Sequence, residues 1–128
     1  MFIKLPSSLL EISKSTFENC QRLTAIEIPK GLTCIGSGAL KKCTMLYSVE
    51  IPNSVVEIGF GAFSDCSKLA SIEIPDSVIS IGHAAFWKCE EFVSVNIPES
   101  VTEISSCAFG ACSKLLHQDS QEYCRNWQ

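Results

Sequence analysis

The sequence predicts an α/β solenoid, a right-handed stack of 23-residue coils built mostly from short strands and short helical turns. Two observations carry this prediction. A proline recurs at one fixed interval, at Pro6, Pro29, Pro52, Pro75 and Pro98. A cysteine recurs at the same interval, at Cys20, Cys43, Cys66, Cys89 and Cys112. Self-similarity at a fixed period is the sequence signature of stacked repeats, in which each unit buries its neighbours' apolar faces.

The clearest copy of the unit spans residues 69–91, LASIEIPDSVISIGHAAFWKCEE. Ile72 and Ile74 alternate with polar residues, which is typical of a half-buried strand. Pro75 ends that strand because proline has no N–H to donate to a sheet. Four small or apolar residues then follow at the i, i+3, i+4 and i+7 spacing of a helix face, namely Gly82, Ala85, Phe86 and Cys89. This spacing predicts one or two turns of helix.

The period divides the chain into one domain of five repeats and a tail. The repeats are 1–22, 23–45, 46–68, 69–91 and 92–114. Residues 115–128 are expected to form a C-terminal cap or tail of the same domain. Within them, Asp119 and Glu122 resemble a helix capping box, and Tyr123 and Trp127 are one helical turn apart. A frayed tail is the alternative.

Composition restricts the partner class. The 128 residues carry a net charge of −4, which disfavours nucleic acid and anionic membrane surfaces. No apolar run approaches the roughly 18 residues of a membrane span, so membrane insertion is not expected. The opening MFIKLPSSLLEI contains Pro6 and Glu11 where a signal peptide would be continuously apolar. We therefore expect no signal peptide in this chain.

The sequence offers no candidate catalytic site. Its two histidines, His83 and His117, have no evident Ser or Cys and Asp partners, and no glycine-rich phosphate loop is present. Zinc needs four ligands that converge on one point, with spacings such as C-x-x-C, whereas these cysteines are 23 residues apart. We predict no enzyme activity, no cofactor and no metal.

The periodic cysteines are expected to be buried, reduced thiols that behave as small apolar residues. Disulfides within the column are disfavoured because the cysteine side chains stack in parallel and the number of cysteines in the column is odd. Cys34, Cys107 and Cys124 stand outside the period, and their redox state stays open. Cys107 and Cys124 are a possible pair if the tail folds back.

The recurring IP, IG, AF and C elements resemble the BspA-type (Treponema pallidum-type) leucine-rich repeat across residues 1–114. The departures are Leu40 in the phenylalanine column, and Ser13 and Ser105 in the glycine column. The resemblance implies a curved solenoid with strands lining one face, roles in adhesion or protein recognition, and no catalytic residues. It also implies a cell-surface or secreted location, although reduced thiols favour the cytoplasm, so the compartment stays open.

Two surfaces are candidate binding sites. On the strand face, outward columns contain Glu27, Glu50 and Glu73 beside Ser48, Ser71 and Ser94. These columns predict either a recognition groove for a basic or hydroxyl-rich partner, or simply a solvated acidic face. Beyond Phe2, this face is expected to have no large aromatic anchor.

The second candidate lies on the outer side of the coils. Phe60 and His83 are equivalent positions in adjacent coils, and Trp87 is four residues after His83. Together they predict an exposed aromatic patch, a composition common in binding hot spots. Partial burial under neighbouring side chains is the alternative.

The function predicted from these features is non-catalytic protein recognition or adhesion, with a host or extracellular protein as partner. The strand face is the favoured main site, where charge would steer the partner, while tight contact would involve the aromatic patch. The alternative is a mainly structural repeat segment of a larger surface protein that self-associates end to end.

Overall fold

Two parallel sheets run along the stack in the computed structural model, which describes residues 1–115. The first sheet, within that range, contains β1 (Phe2–Lys4), β3 (Ala25–Glu27) and β5 (Ser48–Glu50) in this order. The second, within the same range, contains β2 (Glu11–Ile12), β4 (Cys34–Ile35), β6 (Glu57–Ile58), β7 (Ser80–Ile81) and β8 (Glu103–Ile104).

In both sheets, paired residues are 23 positions apart in the sequence, which is the repeat period. Ile3 pairs with Ile26 in the first sheet, and Ile12 pairs with Ile35 in the second. Each strand therefore stacks on the equivalent strand of the next repeat. The prediction of a solenoid with a 23-residue repeat is confirmed.

The regular strand pairing of the first sheet ends after β5. Among residues 1–115, it continues beyond β5 only as an isolated bridge between Glu73 and Asn96. The second sheet continues without a break through β6, β7 and β8. A gap in the strand ladder therefore lies between the third and fourth coils, on the strand face alone.

The core is enclosed by the strands, bends and turns of the coils and is built from stacked columns. Phe63 and Phe109 stack on opposite faces of Phe86, with ring centroids 5.1 Å apart in both pairs and interplanar angles of 2° and 1°. Leu40 continues this column and is fully buried, whereas Phe17 in the first coil is half-buried. The predicted phenylalanine spine thus forms in the third, fourth and fifth coils.

The prediction of short helical turns is wrong. No helix occurs in residues 1–115, where the segments after the second sheet are successive turns. Ala62 N donates to Gly59 O three residues earlier, at 3.2 Å, but Phe63 N donates to Ala85 O in the next coil, at 2.7 Å. An α-helix would send every N–H to the carbonyl four residues earlier. Here alternate N–H groups leave their own coil and bind the adjacent one.

Two positions in every coil adopt the left-handed conformation, which a right-handed helix cannot contain. The first set is Ser15, Gly38, Gly61, Ala84 and Cys107, and the second is Asn19, Lys42, Asp65, Lys88 and Ala111. Their φ angles lie between 55° and 66°. The inward positions nevertheless agree with the sequence pattern, because Ala85, Phe86 and Cys89 are all fully buried.

Several predicted features fall outside the described residues. The proposed cap, His117, Cys124 and nearly all of the tail lie beyond residue 115. Within residues 1–115, no helix is long and apolar enough to cross a membrane.

Candidate recognition surface

The outward side chains of the first sheet form an acidic row. Glu27 pairs in register with Glu50, and both side chains are exposed, as is Glu73 in the next coil. Lys4 continues the row at its other end and lies 3.8 Å from Glu27, Nζ to Oε2. Both of these side chains are solvent-exposed, so this pair is weak. It still offsets one of the three predicted glutamates.

The uncompensated charge therefore lies further along the face. Glu50, Glu73 and Asp76 are exposed, and none of them makes an ion pair within residues 1–115. Charges about 5 Å apart in water repel by roughly 0.8 kcal/mol, which the fold tolerates. The row therefore leaves a negative potential that a cationic group would relieve.

Two open cavities on this face join into one groove. One, of about 760 Å³, lies at the break in the strand ladder and is lined by Glu50, Glu73 and Asp76 among others. The other, of about 1310 Å³, extends over the first three coils and is lined by Phe2 and Glu27 among others. Glu50 lines both, so the groove is continuous past the acidic row.

The predicted strand-face residues take different places in this groove. Ser48 and Ser71 line the cavity at the break, together with Glu50 and Glu73. Glu27 lines the larger cavity. Ser94 is exposed in the same column but lines neither of these two cavities.

The expectation that this face has no aromatic anchor beyond Phe2 is wrong. Tyr47 is 62% exposed and lines the cavity at the break, as do Asp76, Asn53 and Asn96. Tyr47 stands one residue before β5, outside the alternating strand pattern. The equivalent positions in the other repeats hold Met1, Thr24, Ala70 and Val93, none of which is aromatic. This single aromatic residue was the signal in the sequence that could have identified Tyr47.

Only two of the three outer aromatic residues come together as a pair. Phe60 is 55% exposed and stacks on His83, with ring centroids 5.4 Å apart and planes 16° apart. His83 Nδ1 lies 2.8 Å from Ser106 Oγ, within hydrogen-bonding distance. Within residues 1–115, His83 and Trp87 make no ring contact.

Trp87 instead packs onto the following coil. It is half-buried, and a Cβ atom built on Gly110 would lie 2.3 Å from its ring. Gly110 is the equivalent of Trp87 in the next coil, so the missing side chain makes room for the indole. The tryptophan therefore contributes packing as well as surface.

The periodic cysteines are free thiols, as predicted, and all but half-buried Cys20 are buried. The thiol of Cys66 donates a hydrogen bond to Leu40 O, with Sγ and O 3.2 Å apart. Burial raises the pKa of Cys43 to about 11 and that of Cys66 further still. Low thiolate content makes Cys43 and Cys66 poor nucleophiles and poor metal ligands. No three His, Cys, Asp or Glu side chains of residues 1–115 form a group that could hold a metal ion.

A family model, the BspA type leucine rich repeat region, matches residues 1–116 with six copies. No curated protein matches the chain. Among solved structures, a leucine-rich repeat protein from Bacteroides ovatus shares 35% identity, with a TM-score of 0.86 over 90% of this chain and 32% of that one. A leucine-rich repeat protein from T. pallidum also shares 35% identity, with a TM-score of 0.87 over 89% of this chain and 56% of its own.

A third solved structure is a leucine rich cell surface protein from Faecalibacterium prausnitzii. It shares 32% identity, with a TM-score of 0.85 over 89% of this chain and 30% of that protein. The chain thus spans between 30% and 56% of the length of these relatives. With the 23-residue register and the family match together, the chain belongs to the BspA-type leucine-rich repeat family.

Proposed function

We propose that this chain is a non-catalytic recognition module whose strand face binds a basic segment of a partner protein. The observation that carries the proposal is the groove beside Glu50, Glu73 and Asp76, whose carboxylates have no cationic partner within residues 1–115. Leucine-rich repeat proteins are generally non-enzymatic binding scaffolds, which agrees with this assignment.

Different groups in the groove attract the partner and hold it once bound. Exposed carboxylates accelerate encounter with a cationic partner, but each contributes little affinity. Tyr47 supplies a rigid apolar surface on which the aliphatic stem of a bound Lys or Arg can lie. Asn53 and Asn96 offer amide donors and acceptors on either side. A segment rich in Lys or Arg and able to pair with amides fits this set of groups.

Adhesion to an extracellular or host protein is the physiological form we propose for this recognition. The relative from Faecalibacterium prausnitzii is described as a cell surface protein, which supports that location for a member of the same family. Because the chain spans only part of such relatives, the role of the whole protein is proposed on the same basis.

Self-association is a second candidate function. Within residues 1–115, β1 pairs only with β3, and β2 pairs only with β4. The end strand of a parallel sheet is a template on which another copy, or a further repeat of a longer chain, can stack. Sedimentation over a range of protein concentrations tests this candidate, since a single monomeric species throughout would exclude it.

Affinity capture with matched variants tests the main proposal. The strand-face variant carries Glu50→Gln, Glu73→Gln and Asp76→Asn. The control variant carries Glu18→Gln, Asp65→Asn and Glu90→Gln, the same change of charge outside both sheets. We expect a partner captured by the wild type and by the control to be lost from the strand-face variant. Equal retention by the strand-face variant would contradict the proposal.

A further inference from the structure

The second sheet presents an exposed apolar ridge that the strand-face function does not use. The residue before each of its strands points outward, in the column Leu10, Thr33, Val56, Ile79 and Thr102. Leu10 is 67% exposed, Val56 41% and Ile79 46%. Backbone hydrogen bonds tie the ridge together, for example from Ile79 N to Val56 O at 2.8 Å. The ridge is therefore a fixed platform and not a set of independent loops.

A row of carboxylates runs beside this ridge. Within residues 1–115, the second sheet has five strands, whose first residues are, in register, Glu11, Cys34, Glu57, Ser80 and Glu103. A carboxylate thus stands on every second strand, and all three are exposed. None of the three makes an ion pair within residues 1–115. Burial raises the pKa of Cys34, and the charges of Glu57 and Glu11 raise it further. This agrees with the position of Cys34 between these two carboxylates.

The spacing of the carboxylates selects among the conformations that a bound peptide can adopt. Neighbouring strands are about 4.8 Å apart, so carboxylates on alternate strands repeat at about 9.6 Å. A polyproline II helix has three residues per turn and rises about 3.1 Å per residue, so every third side chain returns to one face at about 9.3 Å. In an extended strand, by contrast, the third residue faces the opposite side. An α-helix returns to the same face after seven residues, at about 10.5 Å, and accumulates a mismatch of about 1.8 Å over two intervals.

We propose that the second sheet binds a basic polyproline II segment that runs along the stack. Lys or Arg at every third position pairs with Glu11, Glu57 and Glu103. The apolar residue of each triplet follows the ridge at the same interval, beside Leu10 in the first coil, Val56 in the third and the exposed Thr102 in the fifth. Ile79, one coil beyond Val56, extends the apolar surface between them. Such a segment is already extended and ordered before it binds, which reduces the entropy cost of docking on a shallow surface. This site is separate from the strand face and does not depend on it.

A synthetic peptide of defined sequence tests the proposal directly. The probe is a fluorescently labelled peptide of three Arg-Leu-Pro triplets, long enough to span the three carboxylates. Its control has the same composition with the three arginines placed consecutively. Fluorescence anisotropy measures the affinity of both peptides for the full chain. We expect the spaced peptide to bind more tightly than its control.

Variants then locate the site. Replacing Glu11, Glu57 and Glu103 with Gln should weaken binding of the spaced peptide about tenfold, since exposed ion pairs each contribute a small factor. The variant Glu50→Gln, Glu73→Gln, Asp76→Asn removes only the strand-face carboxylates, so it should keep the preference for the spaced peptide over the consecutive one. The single variant Glu57→Gln, expected to weaken binding about twofold, serves if the triple variant melts at a lower temperature.

Three results would overturn this inference. The first is equal affinity for the spaced and consecutive peptides, which would reduce the interaction to net charge. The second is loss of the preference for the spaced peptide in the strand-face variant, with the preference kept in the variant of Glu11, Glu57 and Glu103. The third is tighter binding of a helical peptide with arginines seven residues apart, which would assign the surface to a helix.

Discussion

The Sγ atom of Cys89 lies 3.2 Å from the carbonyl oxygen of Phe63 in the preceding coil, and its thiol donates a hydrogen bond there. The relationship recurs from coil to coil at 3.1–3.2 Å, from Cys43 to Phe17, from Cys66 to Leu40 and from Cys112 to Phe86. Each cysteine is thus a small apolar side chain with one weak donor, directed at the coil beneath it. This hydrogen bond explains why cysteine recurs at this position without invoking disulfides or a metal ion.

Substitutions of Cys66 separate its hydrogen bond from its volume. Cys66→Ser keeps a donor facing Leu40 O and should cost about 1 kcal/mol of unfolding free energy. Cys66→Ala removes both the donor and buried volume and should cost about 2 kcal/mol. Urea denaturation measures both values, and Cys20→Ser, at a half-buried position, is a control expected to change little. A larger loss for Ser than for Ala would show that the thiol contributes only as an apolar group.

The buried thiols also predict a loss of stability at alkaline pH. Burial raises the pKa of Cys43 from 9.0 to about 11, so between these values the folded state holds more protons than the unfolded state. The contribution of the Cys43 thiol to the unfolding free energy is then fully present below about pH 9 and is lost as the pH rises through about 11. Urea midpoints measured up to about pH 10.5 should therefore decline. The variant Cys43→Ala should show a shallower decline, and identical slopes for both proteins would exclude Cys43 as a cause.

Ala84 lies in the left-handed region with a φ of 57°, where its equivalents Gly38 and Gly61 are glycines. Alanine pays roughly 1–2 kcal/mol in that region, while glycine costs about 0.4–1 kcal/mol through unfolded-state entropy. Ala84→Gly should therefore raise the unfolding free energy by about 0.5 kcal/mol. The neighbouring Ala85→Gly, at a fully buried position outside the left-handed region, should lower it by about 1 kcal/mol. Destabilisation by both substitutions would contradict this explanation of the turns.

The failure of the helix prediction has a physical cause that the local sequence obscures. Spacing of Ala85, Phe86 and Cys89 correctly identified the inward positions, because it reflects burial alone. It could not identify hydrogen-bond partners, since an N–H such as that of Phe63 can bind either its own coil or the next one. Gly, Asn and Asp at the left-handed positions were the available signal, but they occupy only four of the ten, and Ser, Ala, Cys and Lys occupy the other six.

The candidate site was predictable to a similar degree. Strand alternation placed Glu50 and Glu73 outward, and both face solvent. The break in the strand ladder after β5 depends on contacts between coils and has no local sequence signature. Tyr47 was missed because it stands just outside the strand pattern. The partial burial of Trp87 depends on Gly110, a residue 23 positions away.

Gly110→Ala should displace the indole of Trp87, because the new methyl group would overlap its ring. We expect a loss of about 1–3 kcal/mol in unfolding free energy and a red shift of tryptophan fluorescence. A Trp127→Phe background leaves Trp87 as the reporter. In a Trp87→Ala background, the same glycine substitution should cost much less. An equal cost in both backgrounds would mean that Gly110 is required for its backbone and not for the indole.

The most direct test of recognition on the strand face is the affinity of a captured partner, measured calorimetrically at low salt and at about 0.15 M ionic strength. Three proteins are compared: the wild type, the variant with Glu50→Gln, Glu73→Gln and Asp76→Asn, and the control with Glu18→Gln, Asp65→Asn and Glu90→Gln. We predict that the strand-face variant binds about tenfold more weakly at low salt, that salt narrows the difference, and that the control matches the wild type. Unchanged affinity of the strand-face variant, or an equal loss in the control, would contradict recognition of a basic partner by this face.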